Sequence, residues 1–166
     1  MLERLQENAG RDRKTGPIVQ PTRLTVGEEY AKELVKDLRA AKDSILIFAY
    51  AWRWYTNDVT SPMQQINTEL VRAVNRGVDV RVICNGAALA NMLNARGLRA
   101  KPVERAKIMH SKGILIDQRL LYIGSHNLTK RATTENYEMS IILQEPSVIL
   151  SFMNCFETMW GRLYES

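Results

Sequence analysis

Met109-His110-Ser111-Lys112-Gly113-Ile114-Leu115-Ile116-Asp117, carried on to Gly124-Ser125-His126-Asn127, is the stretch on which the rest of this chain turns. Its pattern is H-x-K-x4-D-x6-G-S-x-N. Six fixed positions at average frequencies give a chance match of roughly one in ten million or rarer per starting point. Residues 107–117 alternate and are rich in Ile, which predicts a strand. Positions i and i+2 share one face of a strand, so His110 and Lys112 are expected to point the same way. One offers a ring nitrogen that attacks or donates a proton near neutral pH. The other is a compact positive charge suited to a phosphate oxygen. Asp117 has the opposite parity. Its place is the turn Asp117-Gln118-Arg119, where its carboxylate is expected to bond local backbone N–H groups in a structural role.

Outward from the motif, the chain reads as helices alternating with strands. Thr25-Val26-Gly27-Glu28 suggests a capping box, and the helix after it sets Tyr30, Leu34, Val35, Leu38 and Ala41 on one stripe. Ser44 to Tyr50 is a continuous apolar run, as in a strand buried on both faces. Pro62 opens a second amphipathic helix that stops at Arg76-Gly77. Strands are predicted at Val78–Cys84 and Leu98–Val103, with a short helix over 87–96 between them. The motif strand should form a hairpin with Leu120–Ile123. Tyr137–Leu143 reads as a further strand, and Pro146 starts a last helix whose apolar face is wide enough to serve a partner subunit as well as the sheet. This order predicts an α/β fold: a mixed, mostly parallel central sheet with helices on both faces. Residues 1–24 read as a flexible arm with a basic run at Gly10–Pro17, and 25–166 as one domain.

Composition narrows the partners. The 166 residues carry 23 Lys plus Arg against 18 Asp plus Glu, a formal net charge of +5, which leans toward a polyanion. Cys84 and Cys155 each sit in an apolar element and read as core thiols; no metal-ligand spacing joins them to the two histidines. No cofactor is implied. No run reaches membrane-spanning length and the N-terminus lacks a signal-peptide core, so the expectation is a cytoplasmic protein without a membrane partner. Trp52-Arg53-Trp54-Tyr55 follows the end of an inner strand, where open α/β sheets place ligands. These four residues are candidates for substrate contact through stacking, with Lys130 beside them, although aromatics suit a core or a subunit interface equally.

The motif resembles the HKD motif of the phospholipase D superfamily. With Leu128-Thr129-Lys130 after Asn127 and Glu135-Asn136-Tyr137-Glu138 before the next strand, it is similar to the small bacterial endonucleases that carry one such motif per chain. The resemblance implies a phospholipase D-like fold. It makes His110, Lys112, Asn127, Ser125 and Glu138 the catalytic set, with Asp117 and Gly124 structural, and it has Glu138 hydrogen-bond the far nitrogen of His110. The implied reaction is metal-independent: His110 attacks phosphorus to form a phosphohistidine. A second acid must protonate the leaving oxygen on the far side, a job one imidazole cannot also do in line. His126 occupies the variable position of G-S-x-N, so the expected second group is His110 of another copy in a two-fold homodimer. Nucleic acid is the expected substrate. The alternatives are a phospholipase D-type phospholipid hydrolase and an inactive relative that only binds nucleic acid.

Overall fold

Two parallel βα units and an antiparallel meander share one sheet, because the connections between strands are of two kinds. The computed structural model describes residues 22–104 and 106–163. The expected arm and its basic run lie, through residue 21, outside the described residues. The elements run β1 (Arg23–Val26), α1 (Glu28–Ala40), β2 (Ser44–Ala49), α2 (Pro62–Asn75), β3 (Asp79–Cys84), α3 (Ala87–Asn94), β4 (Arg99–Pro102), β5 (Gly113–Ile116), β6 (Leu120–Gly124), α4 (Lys130–Thr134), β7 (Met139–Leu143) and α5 (Pro146–Arg162). The sheet order is β1-β7-β6-β5-β2-β3-β4.

The helical crossovers α2 and α3 return the chain to the same end of the sheet, so β2, β3 and β4 are parallel. Residues 103, 104 and 106–112 then stay at the carboxyl end of those strands. β5 therefore runs back down beside β2, pairing Phe48 with Gly113 and Ile45 with Ile116. The pairs β5–β6, β6–β7 and β7–β1 are antiparallel too. The fold is α/β and mixed, with helices on both faces, but the expected parallel majority is confined to three strands. Crossovers are legible in a helix–strand alternation; the end at which an irregular loop stays is not.

Other boundaries moved. Arg23 and Leu24 fall in the expected arm and Thr25-Val26 in the expected capping box, yet Arg23–Val26 form one strand paired with β7. Thr25 lies in β1 and caps nothing; Gly27 stands at the helix N-cap with φ 50°, where a side chain is unfavourable. The motif strand is four residues long, and 107–112 is irregular. The hairpin to β6 turns through Asp117 and Gln118, both at positive φ (50° and 51°), with Arg119 N donating to Ile116 O at 3.0 Å. That is the sign pattern a tight, twisted hairpin needs.

Alternate residues of the inner strands feed two cores. Ile45, Ile47, Val80, Val82, Ile114 and Tyr122 pack with the buried faces of α1, α2 and α3. Leu46, Phe48, Ile83, Leu115 and Leu121 pack beneath Ile149, Phe152, Phe156 and Trp160 of α5. Among the described residues, helix α5 is the only helix of that second core, and its buried residues pack with those of β2, β3, β5 and the near half of β6. On the same face, Leu24, Val26, Ile123, Met139 and Ile141 of β1, β6 and β7 are exposed.

Candidate active site

His110 and Lys112 stand at the carboxyl end of the parallel strands, in the irregular segment that feeds β5. Met109 ahead of them is buried in the second core, so the chain is anchored there and His110 is turned out to solvent. The two side chains do converge, but not by strand parity. Lys112 Nζ lies 3.4 Å from His110 Nε2 and donates to His110 O at 2.7 Å. Tyr50, immediately after β2, supports both: its ring centroid is 4.6 Å from that of the imidazole, tilted by 58°, and 4.7 Å from the Lys112 ammonium. A cation held over an aromatic face is attracted by the ring's quadrupole.

A cavity of about 550 Å³ opens beside the pair. His110, Lys112, Gly124 and Ser125 form its polar side, and Phe48, Ile123, Phe152 and Cys155 its apolar side. Cys155 is exposed here, not the core thiol expected from its apolar surroundings in sequence. Cys84 is buried, and burial pushes its thiol up to about 12.

The remaining motif residues surround this cavity. The Ser125 hydroxyl donates to Glu138 Oε2 and accepts from Met139 N at 3.1 Å, and Asn136 donates to Glu138 Oε1 at 3.1 Å. Glu138 is thus held by Ser125 and Asn136; among the described residues no hydrogen bond joins it to His110, contrary to the expected contact. At Gly124 β6 lies too near β7 for a side chain: a Cβ there would lie 2.3 Å from Met139 O. Asn127 borders a smaller recess with Lys112 and Tyr50, and its Oδ1 is buried without a hydrogen-bond partner among the described residues. Asp117 is at the other end of β5. Its carboxylate accepts from Lys42 N (3.0 Å), Asp43 N (2.8 Å) and Ser44 N (3.1 Å), at the start of β2. These partners are far along the chain, not the local N–H groups expected of a turn residue.

His126 is buried, stacked on Tyr30 at 4.1 Å with its Nδ1 2.8 Å from Ser140 Oγ. Burial holds its pKa below the usual range, opposed by the Glu138 charge and the Gly27 carbonyl. It is a core imidazole, turned away from the cavity.

The aromatic stretch after β2 is mostly architecture. Trp52 is buried and donates to Asn67 Oδ1 at 2.8 Å. Trp54 is half-buried beneath the Arg96 guanidinium, 4.4 Å from its centroid. The Tyr55 hydroxyl accepts from Lys130 N at 2.9 Å, and Lys130 Nζ pairs with Asp58 at 2.7 Å, which raises the lysine and lowers the aspartate. Of residues 52–55, only Arg53 is exposed. Tyr50 of the site, and Asn85, whose side chain bonds the Met109 backbone behind it, carry no motif signal in the sequence. Both directly follow inner strands, the positional signal that drew attention to Trp52 instead.

Residues 34–160 match the family described as cardiolipin synthase, PLD-like domain. The chain is 28% identical over 151 residues to mitochondrial cardiolipin hydrolase of Mus musculus, covering 87% of this chain and 64% of that protein. It is 29% identical to the Homo sapiens counterpart over 148 residues, 86% of this chain and 55% of that one. The chain thus spans less than two thirds of either relative. Among solved structures, Nuc from Salmonella typhimurium, a phospholipase D family member, superposes with a TM-score of 0.69 at 25% identity, covering 85% of this chain and 95% of Nuc. NucT from Helicobacter pylori shares the fold, with a TM-score of 0.67 at 16% identity over 85% of this chain and 97% of that one.

Proposed function

The chain belongs to the phospholipase D superfamily, and we propose that it is a metal-independent phosphodiesterase that hydrolyses nucleic acid in a site shared by two copies. The observation that carries this reading is the convergence of His110 and Lys112, 3.4 Å apart, on an open cavity that also takes in Ser125. His110 Nε2 attacks phosphorus and the P–O bond to the leaving group breaks. The partner's His110, as imidazolium, gives its proton to the departing oxygen. The same imidazole then takes a proton from water, whose oxygen attacks phosphorus, breaks the P–N bond and frees His110. The Lys112 ammonium and the Nδ2 hydrogens of the Asn127 amide donate to the non-bridging oxygens, where charge concentrates. Glu138 sets the Ser125 hydroxyl at the cavity wall. The positive charge that a divalent ion would bring comes from the two lysines and the acid histidine.

The need for a partner follows from the histidine count. The chain has two histidines, and His126 is locked in the core. The exposed apolar residues Ile123, Met139, Ile141, Leu24 and Val26 continue from the cavity across the uncovered part of the sheet. A two-fold axis there covers the patch with itself and brings two His110 side chains to one phosphate. The +5 net charge and the open site favour a polyanionic chain as substrate. The apolar wall formed by Phe48, Ile123 and Phe152 is the feature that favours the second reading, a lipid diester.

One experiment separates these. Wild type and His110→Ala are incubated in EDTA with single-stranded DNA, duplex DNA, RNA, and vesicles of phosphatidylcholine or cardiolipin, while sedimentation gives the mass. Cleavage of nucleic acid by a wild-type dimer, abolished in His110→Ala, is the expected result. Release of phosphatidic acid from vesicles alone selects the lipid reading. Undiminished cleavage by His110→Ala, strict Mg2+ dependence or an active monomer overturns the mechanism.

A further inference from the structure

The backbone that carries His110 has no strand to lean on. β2 ends at Ala49 and β5 begins at Gly113, so the sheet ladder stops one residue short of Lys112. What takes over is a side chain. Asn85, the residue after β3, accepts from Met109 N at 2.8 Å with its Oδ1 and donates to Met109 O at 3.0 Å with its Nδ2. The second Nδ2 hydrogen goes to Tyr50 O at 2.9 Å. A carboxamide has two donors and an acceptor oxygen, and here it reproduces both backbone bonds that a neighbouring strand would have made with Met109. Among the described residues, these are the only hydrogen bonds that tie the backbone of 108–111 to the body of the fold; the other bond there, Lys112 Nζ to His110 O, lies within the segment.

The geometry points to Asn85 as a positioning residue for His110: its side chain substitutes for a strand, holding Met109 to the end of β2 so that the imidazole is seated on the Tyr50 ring next to Lys112. This rests on the catalytic role given above to His110. A nucleophile must meet phosphorus in line, and a misplacement of about 1 Å costs on the order of 100-fold in rate. Asn85 touches neither His110 nor the cavity beside it, so its effect passes through Met109 and Tyr50. Removing it leaves the Met109 side chain in its core and releases the backbone that aims His110, together with the Tyr50 carbonyl.

The test uses Asn85→Ala and Asn85→Asp in the full chain, with His110→Ala as control. The aspartate keeps the acceptor for Met109 N and loses both donors. The expected result is a kcat lower by about 10- to 100-fold in Asn85→Ala and by less in Asn85→Asp, with KM changed less than about threefold. The chain's two histidines give a spectroscopic readout alongside. His126, stacked on Tyr30 in the core, reports the fold by NMR, while His110 reports the ring current of Tyr50. The His110 signals should lose their Tyr50 shift in Asn85→Ala, with those of His126 unmoved. An unchanged kcat and an unmoved His110 signal in Asn85→Ala overturn the assignment. So does loss of the His126 signals in both variants, which would make Asn85 a general stability residue. Activity surviving in His110→Ala fails the catalytic reading itself, a result separate from either.

Discussion

Replacing Asp117 separates two roles that the motif leaves confounded. Its carboxylate collects the N–H groups of Lys42, Asp43 and Ser44, and its own N–H donates to Ser44 O at 2.8 Å. Hydrogen bonds to a charged acceptor contribute about 1.5–3 kcal/mol each where buried. Here Lys42 and Asp43 are exposed and water replaces most of their loss, so the part-buried Ser44 N–H dominates at about 1–2 kcal/mol. Asp117 also sits at φ 50°, which costs Ala a further 1–2 kcal/mol or so. Asp117→Ala should therefore lose about 3 kcal/mol. With a urea slope near 2 kcal/mol/M, the midpoint falls by about 1.5 M. Asp117→Asn tolerates the same φ and keeps one acceptor oxygen, so about half that loss is expected. Urea unfolding followed by circular dichroism gives the midpoints. Diester hydrolysis at low temperature, scaled to the folded fraction, should stay within about threefold of wild type. A midpoint shifted by less than about 0.3 M, with hydrolysis down a hundredfold, would mean that Asp117 acts in the chemistry.

Gly124→Ala should destabilise by about 3 kcal/mol, because its Cβ meets the backbone of β7 at Met139 O (2.3 Å) and Ser140 Cα (2.5 Å), which cannot yield as a side chain would. Gly161→Ala, in α5 with nothing within 4 Å, is the opposite control and should gain about 0.5–1 kcal/mol; equal effects at the two sites in a thermal melt would refute the packing argument. His126 supplies a pH signature: its folded pKa is lowered, so above about pH 6.5 the imidazole is neutral in both states and costs nothing. Below that the unfolded chain binds a proton that the fold does not, and stability is lost as pH falls through the folded value. The urea midpoint of wild type should thus drop more than that of His126→Asn between pH 7 and pH 5, whereas parallel curves would place His126 in contact with solvent.

The helices and inner strands could be read from periodicity because their burial is one-sided or complete. β1 could not: Leu24 and Val26, its apolar pair, face the uncovered part of the sheet, and only Thr25 is buried. The motif strand was overextended for the opposite reason. Residues 107–112 keep a strand-like alternation, but a strand needs a neighbour, and β2 has already ended. A solitary Asn after β3 carries no periodic signal, so the group that substitutes for the missing neighbour is invisible until the strands are assembled. The spacing H-x-K-x4-D then has a geometric meaning. The four residues between Lys112 and Asp117 are β5 itself, Gly113–Ile116, and a side chain fastens the backbone at each end. Asp117 binds residues 42–44, at the entry to β2, at the bottom; Asn85 binds Met109 to Tyr50, just past the end of β2, at the top. The stiffness that aims His110 therefore comes from a short strand clamped at both ends, and only the lower clamp belongs to the motif.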